Sequence, residues 1–117
     1  MSVVTGCHKS PSTQPIGDAE APSIKAVALA SITAKYSNVD TSKLILDHMS
    51  LETPPVGKKF ISATFYLPSP AQTNTYDTPE GKRVKITTKG FGVVMSPSRR
   101  VQTVSEFPRE DIYKVDQ

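Results

Sequence analysis

The sequence has no tryptophan, one cysteine and two histidines. Each shortage removes a class of answer. Cys7, standing alone, has no partner for a disulfide within the chain. Two histidines and one cysteine, with scattered carboxylates, make a poor ligand set for a metal ion. No apolar stretch approaches the roughly 18 residues that a membrane-crossing helix needs. The patterns G-x-S-x-G, H-E-x-x-H and C-x-x-C are missing, and so is a glycine-rich phosphate loop. Cys7 and His8 are adjacent, but a flexible segment does not hold reacting atoms in place. Asp47 and His48 are neighbours on an expected strand, so they should point to opposite faces. We therefore expect no catalytic residues, no cofactor and no metal, and we read His48 as structural.

What is present describes one small domain. A chain of 117 residues holds one domain at most. Residues 1–22 carry Pro11, Pro15 and Gly17 and no recurring large apolar residue, which reads as a tether. Residues 23–117 should then form a single domain with one thin core.

From residue 22 to 36 the spacing predicts a helix. Pro22 suits a first turn, where its missing N–H costs nothing. Alanine recurs through the segment and is the best helix former. Ile24, Ala28, Ile32 and Tyr36 lie four apart and form a stripe, with Leu29 beside them. The same residues alternate as a strand would, but alanine is a poor strand residue.

Four strands are expected after the helix. Lys43 to Leu51 has Leu44, Ile45 and Leu46 as its apolar heart. In Lys58 to Leu67, Ile61, Ala63, Phe65 and Leu67 point one way, towards the helix. Residues 68–81 read as a long loop, with Thr78-Pro79-Glu80-Gly81 as a turn at its end. Arg83 to Met95 is the third strand, where Gly90 and Gly92 around Phe91 suggest a bulge or bend. Arg100 to Phe107 is the fourth, ended by Pro108. The expected fold is α+β: one N-terminal helix packed on a four-stranded antiparallel sheet, in two layers. The order of elements is similar to cystatin-like and PepSY-like domains, and no functional residue carries over from that likeness.

Charge is uneven. The formal total is +3, yet Lys82, Arg83, Lys85, Lys89, Arg99 and Arg100 fall within residues 82–100 without one acid. Such a run favours acidic partners. It also suits a strand edge kept soluble by lysine and arginine.

Val4-Thr5-Gly6-Cys7 resembles the lipobox of bacterial lipoproteins. That resemblance implies a diacylglyceryl group on Cys7, which would become the first residue, and the polar Pro/Ser/Thr stretch after it suits a spacer. Only Met1 to Val3 precede the box, and a signal peptide needs a charged start and an apolar region of 7–15 residues. Either the natural start lies upstream, or the chain was trimmed, or the match is fortuitous. With that resemblance, the expectation is a lipid-anchored domain at the periplasmic face of a bacterial membrane. It would act by binding an envelope protein, as an inhibitor or immunity-type protein does. Its candidate contacts are Tyr76, Arg83, Lys85, Lys89, Arg99 and Arg100, on the loop 68–81 and the basic segment. The alternative is a cytosolic basic domain with a disordered tail that binds nucleic acid, with Tyr66, Tyr76 and Phe91 stacking on bases.

Overall fold

The structure is a computed structural model, and it describes residues 12–115. Cys7 and the rest of the lipobox-like segment lie outside the described residues. The elements in order are β1 (Ser12–Pro15), α1 (Ala21–Lys35), a short 3-10 turn (Thr41–Lys43), β2 (Ile45–Thr53), β3 (Phe60–Thr78), β4 (Gly81–Met95) and β5 (Val101–Lys114). The strands form one antiparallel sheet in the order β1-β2-β3-β4-β5.

The sheet thus has five strands, not the expected four. The extra one comes from the presumed tether: Ser12 to Pro15 pair with Ser50 to Thr53. All four of its residues are exposed, so no apolar alternation marks it in the sequence. It is held by its backbone ladder and by Thr13 Oγ1, which donates to Glu52 Oε1 at 2.8 Å.

The expected loop 68–81 is also overturned. β3 runs unbroken to Thr78, and the turn to β4 is only Pro79 and Glu80. Pro68 and Pro70 are accommodated because the β3–β4 register jumps between Leu67 and Gln72. A bulge leaves its residues out of the ladder, so a missing N–H breaks nothing there. Nor does Pro108 end the last strand, which continues to Lys114. The glycine pair of β4 holds neither bulge nor bend; residues 89–94 stay in register with both neighbours.

The helix stripe forms as its spacing requires. Ile24, Ala28 and Ile32 are fully buried against Ile61, Ala63, Phe65, Phe91, Val93 and Met95. Each large side chain so buried contributes about 1.5–3 kcal/mol. Leu44 joins this core from just before β2, whereas Ile45 and Leu46 are exposed. A register shift at Asp47 explains the displacement, and the buried part of β2 lies further on, at Ser50.

Helix and sheet differ in length, and that difference positions the candidate site. Fifteen residues of helix span about 22 Å. Nineteen residues of β3 span about 60 Å when extended. α1 starts beside the β4–β5 turn, where Arg99 bonds Glu20 at 2.8 Å. It ends over mid-sheet, where Tyr36 packs edge-on against Phe91 with ring centroids 5.5 Å apart. Lys35 Nζ caps the arrangement by donating to the Val104 carbonyl at 2.5 Å. Beyond Phe91 the three long strands continue as a ribbon that the helix does not cover.

Candidate functional site

Strand alternation sorts the ribbon's side chains. Tyr76, Arg83, Lys85 and Lys89 all lie on the helix side of the sheet, beyond the helix end; Tyr76 and Arg83 are direct cross-strand partners. Arg99 and Arg100 are not with them. They sit at the far end of β4, separated from Arg83 by roughly 40 Å of extended strand. Arg99 is committed to Glu20 and to the Ser23 hydroxyl. It also has φ of 74°, so this turn is a structural clasp on the helix start. The six candidates therefore divide into a group of four and a separate pair.

The basic run is partly neutralised by neighbours that are distant in sequence. Lys85 Nζ lies 3.7 Å from Glu110, and Lys89 Nζ lies 3.5 Å from Glu106. Lys82 lies 3.9 Å from Asp77. These pairs are exposed, so each is worth at most about 1 kcal/mol. Their effect is on the field: acids on β3 and β5 interrupt what the sequence shows as a continuous positive stretch.

Where β3 bulges, a cleft of about 450 Å³ opens beside this group. Leu67, Pro70 and Pro108 give it apolar walls, and Lys89 and Glu106 stand at its polar side. Thr88 also borders it through its backbone, its side chain lying on the opposite face of the sheet with that of Arg109. The bulge leaves Thr88 without a partner on β3, and its buried Oγ1 has no hydrogen bond. An unpartnered buried hydroxyl costs free energy.

The opposite face of the sheet carries no second layer among the described residues, and its side chains organise one another. The Arg109 guanidinium stacks 4.0 Å from the Tyr66 ring centroid. It bonds Asp47 at 2.7 Å and also pairs with Asp111. These carboxylates raise the Arg109 pKa above its ordinary value, with the hydrogen bonds to Asp47 as the main cause. Asp47 reaches this face because of the register shift beside it. The expectation that Asp47 and His48 point to opposite faces fails for the same reason.

A second row joins His48, Ser50, Glu52 and Thr13. His48 Nε2 lies 2.9 Å from Ser50 Oγ, and Ser50 donates in turn to Glu52. Bonds from Ser50 and Thr13 hold the Glu52 carboxyl below the usual carboxylate range. The order is wrong for a nucleophilic serine, whose proton must pass to the histidine. Ser50 is moreover buried. This row ties β1 to β2. Its period-two spacing at residues 48, 50 and 52 was visible in the sequence, but its partner Thr13 was hidden in the presumed tether.

Among the described residues, no cluster of three or more histidine, cysteine, aspartate or glutamate side chains is placed to hold a metal ion. No described helix is long and apolar enough to cross a membrane. No family model matches the chain, and neither a curated protein nor a solved structure matches it.

Proposed function

We propose that this chain is a binding domain, anchored through lipid on Cys7 at the periplasmic face of a bacterial membrane. Its partner is an envelope protein, met by the uncovered helix-side face of the ribbon. The observation that carries the binding surface is the cleft at the β3 bulge, lined in part by Lys89, with Tyr76, Arg83 and Lys85 further along the same face. It combines apolar walls and cations on strands held by a core. Recognition sites commonly pair an apolar recess with a few placed polar groups. The anchor rests on the likeness of Val4-Thr5-Gly6-Cys7 to a lipobox.

Two measurements test the two halves separately. The first is intact mass and membrane fractionation of the protein expressed from its own gene with its upstream DNA. A product that starts at Cys7, carries lipid and sediments with membrane supports the anchor; a soluble product with a free thiol overturns it. The second is in-cell cross-linking of the wild type against an Arg83→Glu, Lys85→Glu double variant. Loss of a specific cross-linked species supports the surface, and an unchanged pattern removes it.

A further inference from the structure

β5 is the last strand of the sheet, and its outer edge has a definite chemistry. Val115 N donates to the Lys82 carbonyl at 3.1 Å. Backbone direction alternates along a strand, so the odd-numbered residues of β5 turn their N–H and C=O towards β4. The even-numbered residues turn theirs outward. Two observations agree with this. The Val104 carbonyl faces away from the sheet and accepts from Lys35. Pro108, which has no N–H, occupies an outward position, so the β4 ladder loses nothing.

Lys35 and Pro108 guard the edge as far as mid-strand. Past Pro108 the guard stops. No hydrogen bond from another element reaches the outward backbone groups of Glu110, Ile112 or Lys114 among the described residues. α1 ends near Val104, so the edge from Ser105 onward has no helix over it. Ile112 and Tyr113, on this same stretch, are 57 % and 53 % exposed.

We propose that this edge pairs with itself: β5 lies antiparallel to β5 of a second copy of the chain, about a two-fold axis at Glu110. The sequence VQTVSEFPREDIYK is self-complementary in this register. Residues facing each other across the join are Arg109 and Asp111, Phe107 and Tyr113, Pro108 and Ile112, and Glu106 and Lys114. Each pair occurs twice by symmetry. Both members of each pair lie on the same face of the joined sheet, since their numbers share parity. Opposite charges and aromatic pairs directly across strands are the favourable kinds. The adverse features are Glu110 against its own copy at the axis, with Lys85 standing 3.7 Å from that carboxylate, and Pro108, which has no N–H to give the facing Ile112 carbonyl. Axes nearer the start of the strand are worse. An axis at Arg109 sets Phe107 against Asp111, and an axis at Pro108 sets Glu106 against Glu110 twice.

The join uses outward backbone groups for affinity and side chains for register, as strand addition generally does. It borders the helix-side cleft at Glu106 and Pro108 and needs no lipid on Cys7.

Sedimentation equilibrium of the full chain, from micromolar to about millimolar concentration, tests the proposal with four proteins. The wild type should show a concentration-dependent dimer. Ile112→Pro removes an outward N–H without touching the β4 ladder; it should be monomeric with an unchanged circular dichroism spectrum. Glu106→Lys and Lys114→Glu each set two like charges across the join and should weaken it about tenfold. Mixed in equal amounts, these two variants should dimerise as well as the wild type, because every introduced lysine then faces a glutamate. A wild type that stays monomeric throughout overturns the proposal. So does a dimer that survives Ile112→Pro, or a mixture no stronger than either variant alone, which would place the contact elsewhere or leave the edge for an extended segment of another protein.

Discussion

Gly90 shows how much one hydrogen atom decides on the open face. A Cβ built there would lie 2.5 Å from the Phe107 ring. Gly90→Ala should therefore cost about 1–3 kcal/mol by overpacking, read as a lower midpoint of thermal unfolding. In a Phe107→Ala background the same change should cost little, because the obstructing ring is gone. Thr88 makes the opposite case. Its hydroxyl is buried without a partner, so Thr88→Val should leave stability unchanged or raise it by about 1 kcal/mol. A clear loss would mean that the hydroxyl is bonded in solution. Glu52 gives a dependence on acid. Its carboxyl is held below its ordinary value of 4.5 by Ser50 and Thr13. The unfolded chain thus takes up a proton more readily than the folded one as pH falls. The contribution is present in full above pH 4.5 and is lost as pH drops through the lower, folded value. Denaturant titrations of wild type and Glu52→Gln should differ at pH 7 and converge in acid.

Among the elements, α1 was the most legible. Ile24, Ala28 and Ile32 recur at helical spacing and are fully buried, and the alanines around them decide against the strand that the same spacing would allow. The inward set of β3 was equally plain, because Ile61, Ala63 and Phe65 alternate without interruption. Phe65→Ala and Phe91→Ala should each cost about 3–5 kcal/mol, a large share of what so small a domain has, and chemical denaturation checks both. The rest of β3 was hidden by its prolines. Pro68 and Pro70 break strands in general, and the sequence does not announce that the register steps over them. β1 was hidden for another reason: its residues are polar, and its partner lies beyond an intervening helix. The candidate site was half legible. Tyr76, Arg83, Lys85 and Lys89 converge because β3 and β4 form one hairpin, and the alternation within 83–89 already implied a shared face. Arg99 and Arg100 were grouped with them by adjacency in sequence, which across a long strand is a poor guide to distance. The neutralising acids Glu106 and Glu110 belong to β5 and were invisible until register was known.

At the scale of the molecule, the sheet is a meander in which β2 to β5 each pair with the next strand in the chain. Such pairing is mostly local, and local pairing favours rapid folding. Only the β1–β2 ladder spans an intervening helix, so the N-terminal strand should join late. Deleting residues 1–15 should then leave a folded core of lower stability, seen as a retained but earlier cooperative unfolding transition. The mismatch between the helix and the strands has one more consequence, and it concerns time. Amide protons of β4 around Phe91 and Val93 lie beneath α1 and should exchange with solvent only when the whole domain unfolds. Those around Thr75, Arg83 and Lys85 lie in the uncovered ribbon, which can open by itself from the Pro79–Glu80 tip. One continuous strand should therefore hold both the slowest and some of the fastest protected amides in the protein, with the boundary close to Lys89.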